Sequence, residues 1–410
     1  MSRSNWQHTM SRHGLVPFVA IVLLAALPGP VAAQESNFAL SGDTRPVLVP
    51  GWTFTPSVFY QGVWDDNVLV RGMGDEAPRD FLNILNPKAD VTFLGRRGQV
   101  DAAYDGAFLF YRQLETLNSY DQHARLSAQR LVTRHVTLIV TDNFAAVPTT
   151  ELVRFIAVPF TRTGSQLDDL RTGVEMALSK YTSMKVSYNF QWVKFDRDDP
   201  LAPLLRGGHS HGATASLRHA ISENTTLLAD YDIQHALVAV NGTFDVQNAG
   251  AGVERKLSDY TRIYLVGGVA RVEVTNFAAA RTGPVLRGGI SHQYQRAAID
   301  LSYSRSYVPA FGFGGTYQNE EVAAGVRLPL SQRFYTNSSV SWRRNEPLTP
   351  GDPSLRSVWI EGVVGYSVQP WLRLEGFYSG SRQTIAQPGT ERDHNRVGFQ
   401  IVTFKPLRVR

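Results

Sequence analysis

Asp65, Asp66 and Asn67 are three consecutive residues whose side chains carry oxygen atoms of the kind that hard cations bind. Carboxylate and amide oxygens are the preferred ligands of Ca²⁺, so the trio is a candidate calcium site. Asp and Asn also hydrogen-bond their own backbone in turns, and most such trios are loops of that kind. We favour the loop and predict no metal ion, with the calcium reading as the alternative.

His209 and His211 are the second group that could do chemistry. Residues two apart on a β-strand point to the same side, so both rings could reach one metal ion. No third ligand lies near them in the sequence, and a surface pair is the simpler interpretation. No local arrangement of serine, histidine and acid singles out a nucleophile and its base. The chain has no cysteine, which excludes a thiol nucleophile and thiolate metal sites. We therefore predict no enzymatic activity, no catalytic residues and no cofactor.

The first thirty-three residues have the composition of a secretory signal peptide. Residues 1–14 carry two arginines and no acid, residues 15–27 are an unbroken apolar run, and small residues precede Gln34. Thirteen apolar residues are too few to span a bilayer, which needs about 20. We predict cleavage after Ala33 and a short periplasmic N-terminal segment over 34–52.

The rest of the chain alternates between apolar and polar residues with a period of two. In 184–192, for example, the sequence MKVSYNFQW places Met, Val, Tyr, Phe and Trp on one side and polar residues on the other. This is the pattern of a strand with one apolar and one polar face. Short polar turns, such as 95–98 and 331–333, alternate with longer stretches rich in Gly, Pro and Asp, such as 145–166.

Short turns at one end, long loops at the other and apolar faces on long strands are typical of bacterial outer-membrane barrels. The spacing of these turns and loops predicts an all-β protein, a closed antiparallel transmembrane β-barrel of about 18 strands (16–20 are possible). The barrel should occupy 53–405, with a basic tail at 406–410. A soluble propeller would have shorter strands and a repeated blade motif, which the sequence lacks. The formal net charge of +5 is too small and too dispersed for a nucleic-acid-binding protein.

The polar face of such a barrel lines a lumen wide enough for water. The alternation assigns these side chains to the lumen as pore-lining residues: Arg171, Glu175, Lys185, Asn189, Gln191, Arg271, Glu273, Arg343, Glu361, Arg373 and Glu375. Their signs are mixed, so we expect little preference between anions and cations.

The stretch 53–71, TFTPSVFYQGVWDDNVLVR, resembles the first strand and outer loop of the beta-barrel porin 2 family of Gram-negative outer-membrane proteins. The match rests on Asp65, Asp66 and Asn67 followed by Val68, on Asn86-Pro87 in the next strand, and on the turn 119–121. Its specific part is confined to about 50–132. The family has no catalytic motif to carry over.

The resemblance implies an outer-membrane barrel associated with exopolysaccharide export. We therefore expect a conduit for a secreted polysaccharide, surrounded by outer-membrane lipid and lipopolysaccharide and working with a periplasmic polysaccharide export protein. The alternative is a general diffusion or nutrient porin, which usually folds a long loop inward. The longest candidate for such a loop is 145–166.

Overall fold

A computed structural model describes residues 50–409, except 73–76, 154–156, 197–204, 239–241, 275–279, 296, 350 and 387–390. The predicted signal peptide and nearly all of the predicted N-terminal segment lie outside these residues. The described chain forms one sheet in which eighteen antiparallel strands close on themselves, because β18 pairs with β1. The predicted fold, a closed 18-stranded antiparallel β-barrel, is confirmed.

The wall strands are β1 Gly51–Asp65, β2 Asp80–Leu94, β3 Gly98–Tyr111, β4 Ser119–Thr133, β5 Val136–Val147, β6 Ser165–Ala177, β7 Thr182–Phe195, β8 Gly208–Ser222, β9 Thr225–Val238, β10 Gly242–Lys256, β11 Thr261–Val274, β12 Arg281–Tyr294, β13 Ala297–Pro309, β14 Thr316–Pro329, β15 Phe334–Pro347, β16 Leu355–Gln369, β17 Leu372–Ile385 and β18 Glu391–Phe404. A last short strand, β19 Leu407–Val409, lies within the predicted basic tail and pairs with Trp52–Phe54 of β1. A one-turn helix, α1 Thr150–Val153, and a 3₁₀ turn at Glu115–Leu117 interrupt the loops.

The two faces of the wall differ as the alternation predicts. On β9 the exposed side chains of Leu227, Tyr231 and Ile233 alternate with those of Asp230 and Asp232. Residues directly opposite each other on paired strands share a face, so the register carries this assignment around the barrel. The outer face is mainly apolar, and the inner face holds most of the charged residues.

The turns at one end of the barrel are short, and a serine hydroxyl closes four of them. Ser179, Ser222, Ser258 and Ser331 each accept a hydrogen bond from the backbone N–H two residues later, at 3.2, 3.3, 3.3 and 3.2 Å. Such side-chain bonds replace a backbone partner and fix a tight reversal. We call this the tight-turn end of the barrel and the opposite end the long-loop end.

In the described part of the chain, neither α1 nor the 3₁₀ turn is long and apolar enough to span a bilayer.

Val186 and Gln191 test the two faces of β7. Val186 lies on the outer face opposite Val174, whereas Gln191 lies on the inner face opposite Asp169. If the outer face is embedded in lipid, Val186→Arg should destabilise the barrel by about 2–4 kcal/mol, and Gln191→Arg should have a mild effect. Urea titrations of refolding into lipid vesicles measure the difference, and equal losses in the two variants would show that the faces are assigned wrongly.

Candidate functional site: the lumen and the segment that crosses it

Nine of the eleven predicted pore-lining residues lie on the inner face. Arg171, Glu175, Lys185, Asn189 and Gln191 share the face of Leu167 and Val193, which pack with buried residues inside the barrel. The remaining four are Arg343, Glu361, Arg373 and Glu375, which share the face of Asn345, Trp359 and Gln383 on their own strands.

Arg271 and Glu273 lie on the outer face, so their assignment to the lumen was wrong. Arg271 is opposite Gln247, which is opposite the exposed Ile233. The two side chains form an ion pair of 2.5 Å with each other near the long-loop end of β11. Strand ends lie beyond the apolar band of a membrane barrel, where a charge can face outward at little cost. A charged pair there does not mark the polar face.

Oppositely charged side chains are paired along the lumen. Arg171 contacts Asp169 at 3.1 Å, Arg218 contacts Glu254 at 2.6 Å, and Lys88 contacts Asp90 at 3.2 Å. Because each cation has a nearby carboxylate, the field along the axis is reduced. The mixed signs expected from the sequence are thus also locally compensated.

One of these pairs reaches across two strands. Arg287 on β12 contacts Asp230 on β9 at 2.7 Å. On the strands between them, Gly250 and Gly268 occupy the inner face in the row of Asp230. These two glycines put no side chain on the inner face of the strands between Arg287 and Asp230.

The described parts of the loop between β5 and β6, residues 148–153 and 157–164, fold into the barrel, and together we call them the crossing segment. It leaves the wall at Val147 and reaches Gln383 on β17. The side-chain carbonyl of Gln383 accepts a hydrogen bond from Phe160 N at 2.7 Å, and its amide donates to Val158 O at 3.0 Å. Gln383 is 2% exposed. In an 18-stranded ring β17 lies seven strands from β6 by the shorter route, so these bonds join distant parts of the wall.

Further contacts hold the crossing segment against that far wall. Asn345 on β15 accepts a hydrogen bond from Ala157 N at 3.4 Å, and β15 is nine strands from β6, half of the way around the ring. The ring of Phe160 packs on Trp359 with centroids 5.3 Å apart, and the guanidinium of Arg343 lies 5.1 Å from the same indole. The segment therefore spans the lumen from one wall to the other.

Arg162 anchors the other end of the segment. Its guanidinium donates hydrogen bonds to the hydroxyl of Tyr111 at 2.9 Å and to Leu117 O at 2.8 Å. It also stacks over the Tyr111 ring at 5.1 Å. The arginine ties the segment to β3 and to the loop that follows it.

A second loop supports the crossing segment from the other side. It consists of residues 310–315, which follow β13. Within it, Gly312 forms an isolated antiparallel β-bridge with Arg206, which lies in the loop before β8. Gly312 has φ 102°, a conformation that strongly favours glycine, and a Cβ there would meet Val158. Two inward loops thus pack together at the long-loop end of the lumen.

The Asp65, Asp66 and Asn67 trio closes the seam between the first and last wall strands. Asp65 is fully buried and accepts hydrogen bonds from His394 Nε2 at 2.9 Å, Arg396 Nε at 3.0 Å and Asn67 N at 3.0 Å. Asp66 accepts from Asn395, and Asn67 donates to Asp393 O. The trio makes local loop bonds, as favoured from the sequence, and also bonds to β18 that the sequence did not indicate.

His209 and His211 lie on the outer face of β8. The Nδ1 atom of His211 pairs with the hydroxyl of Tyr188, and His235 on β9 is directly opposite His211. Among the residues that the structure describes, no group of three or more His, Asp or Glu could hold a metal ion.

The sequence matches no family model, and no curated protein sequence matches it. The structure is similar to OccAB3 of Acinetobacter baumannii, with 12% identity, coverage of 87% of this chain and 99% of that chain, and a TM-score of 0.46. It is also similar to OccAB4 of the same organism, with 9% identity, coverage of 88% and 100%, and a TM-score of 0.47. The outer membrane protein OpdK of Pseudomonas aeruginosa is also similar, with 8% identity, coverage of 87% of this chain and 99% of that chain, and a TM-score of 0.45.

The class that fold and site define is a closed β-barrel with an apolar exterior, a charged lumen and a segment across that lumen. This class follows from the strand pairing and hydrogen bonds of the chain itself. The structural similarities above are too weak to assign a function. The resemblance to the beta-barrel porin 2 family stays a prediction.

Proposed function

We propose that the chain is a passive outer-membrane channel for small hydrophilic solutes. The crossing segment is the observation that carries the proposal, because its bonds from Ala157 and Phe160 to β15 and β17 divide the lumen. A segment placed in this way limits the cross-section open to a solute. The path that remains would be lined by the nine inner-face residues, which the sequence also assigned to the lumen.

The membrane location is supported by the wall itself. In lipid every backbone hydrogen bond must be made within the protein, and a closed barrel does this while presenting apolar side chains outward. Exposed residues such as Trp64, Phe108, Val269 and Phe399 cover the outer face of this barrel. The tight-turn end would face the periplasm, as short turns do in bacterial barrels.

The geometry favours the general diffusion or nutrient porin over the polysaccharide conduit. A long polymer needs a continuous opening, and the packed contacts of Phe160 with Trp359 and of Val158 with Gln383 lie in its way. A small solute needs only a narrow opening beside such a segment. The conduit, with a periplasmic export protein as its partner, remains the competing outcome of the experiment below.

Charge neutralisation should change ion selectivity in a fixed direction. Arg343 lies 3.0 Å from Glu321, and Arg373 lies on the same wall as Glu375. Replacing both arginines with glutamine leaves the acids uncompensated, so the channel should shift toward cations. Reversal potentials in a salt gradient across a planar bilayer measure this. The control is Arg305→Gln on the outer face, which should leave the ratio unchanged, and a shift toward anions in the double variant would contradict the lumen assignment.

Liposome swelling tests the proposed function. Vesicles containing the purified chain should swell in solutions of small sugars and amino acids and should lose this response as solute size increases. Empty vesicles and vesicles with heat-denatured protein are the controls. Equal entry of small sugars and long oligosaccharides would favour the polysaccharide conduit, and no swelling with any solute would reject the channel.

A further inference from the structure

Three successive turns at the tight-turn end carry only positive charge. The turns 95–98, 130–135 and 178–182 contain five cations and no Asp or Glu: Arg96, Arg97, Arg130, Arg134 and Lys180. Backbone bonds join the turns into one surface, because Leu131 N donates to Arg97 O at 2.7 Å and Ala177 N donates to His135 O at 2.8 Å. We call these five cations and their turns the basic patch.

The cations of the basic patch are exposed and have no acidic partner in the described part of the chain. Arg96, Arg97, Arg130 and Arg134 make no side-chain hydrogen bond there, and Lys180 contacts only the ring of Tyr181, at 5.3 Å. Elsewhere at the same end, turns carry carboxylates, such as Asp259, which pairs with Lys256 at 2.7 Å. The positive charge is therefore concentrated on one part of the rim and left uncompensated.

Large apolar side chains lie beside these cations. Val132 is 47% exposed, and Leu178 and Tyr181 are each 56% exposed. Leu138, on the outer face of β5, continues this apolar surface up the wall. Apolar groups next to a cluster of cations match a molecule that has acyl chains beside a phosphate.

We infer that the basic patch binds the phosphate headgroups of anionic phospholipids, such as phosphatidylglycerol, in the membrane leaflet at the tight-turn end. The inference rests on the proposed membrane location. The lipid is the occupant because the exposed apolar residues face the same side as the barrel's apolar exterior. An acidic protein would need the cations but would leave Leu138 and Leu178 uncovered.

The experiment measures lipid binding to the full chain in neutral detergent by native mass spectrometry. The wild type should retain phosphatidylglycerol at least about tenfold more tightly than phosphatidylcholine with the same acyl chains, since each cation adds attraction for the anionic headgroup. The triple variant Arg96→Gln, Arg97→Gln and Arg134→Gln should lose this preference. A matched triple variant at the same end, Arg255→Gln, Arg333→Gln and Lys405→Gln, should retain it.

The inference is overturned by no preference in the wild type, an unchanged preference in the first triple variant, an equal loss in the matched variant, or displacement of the lipid by millimolar inorganic phosphate. Binding of a polyglutamate peptide to the wild type in place of phosphatidylglycerol would also reject it and would indicate an acidic protein. Heat-modifiable gel migration confirms that each variant is folded. Conductance of the same samples in neutral bilayers tests the channel separately, so failure of one proposal is distinguishable from failure of the other.

Discussion

Replacing Asp65 with alanine should destabilise the folded barrel by about 3–5 kcal/mol. The carboxylate is fully buried between the first and last wall strands and accepts hydrogen bonds from His394, Arg396 and the backbone of Asn67. Alanine would remove the carboxylate that pairs with the largely buried guanidinium of Arg396 at 3.0 Å. The pairing of β1 with β18 closes the ring, so loss of the Asp65 carboxylate should weaken that closure.

Urea unfolding of the purified chain in detergent measures the effect. Asp259→Ala is the matched control, since Asp259 is an exposed carboxylate paired with Lys256, and its loss should leave the unfolding midpoint nearly unchanged. Similar midpoints for the two variants would contradict the role of Asp65 at the seam.

Gln383→Ala should release the crossing segment from the far wall while the barrel stays closed. The substitution leaves the buried Phe160 N and Val158 O without their partner, and each unsatisfied group costs about 1–3 kcal/mol. The segment should therefore detach more often. Trypsin cleavage after Arg162, detected as a fragment that begins at Thr163, should become at least about tenfold faster, because local opening limits such cleavage.

The control for this prediction is Gln99→Ala. Gln99 is an inner-face residue of β3 whose amide donates to Asp101 at 2.7 Å, far from the crossing segment. Its loss should leave cleavage after Arg162 unchanged. An unchanged rate in Gln383→Ala would show that Gln383 does not hold the segment in place.

Alternation in the sequence was sufficient to predict the barrel wall. The alternation predicts about 18 strands, and 18 strands form the observed wall. The reason is physical, since a wall between lipid and water imposes opposite chemistry on successive side chains. The same reasoning assigned nine of the eleven residues to the inner face, from Arg171 on β6 to Glu375 on β17, and their role in lining a pore stays a prediction.

Reasoning from alternation failed where the chain leaves this environment. In β11 the run Gly267-Gly268-Val269-Ala270 has no polar side chain to mark the inner face, so the charges of Arg271 and Glu273 are the only polar signal in this part of the strand. They lie near the long-loop end, where both faces tolerate charge. Strand-end charges therefore cannot assign a face by themselves.

The path of the crossing segment could not be predicted from local pattern. Its contacts join residues far apart in the chain, such as Phe160 with Gln383 and Ala157 with Asn345. The length of 145–166 showed only that an inward loop was possible. Likewise, Asp65 and Asp66 gave no sign that their partners lie on β18, because that pairing exists only after the ring closes.

Single-channel conductance in planar bilayers tests the central claim most directly. The comparison is between the wild type and a variant in which residues 150–161 are replaced by a short Gly-Ser linker, with heat-modifiable migration as the check of folding. A passive channel narrowed by the crossing segment predicts steady conductance from the wild type and higher conductance from the variant. Equal conductance from the two proteins, or none from either, would contradict the account.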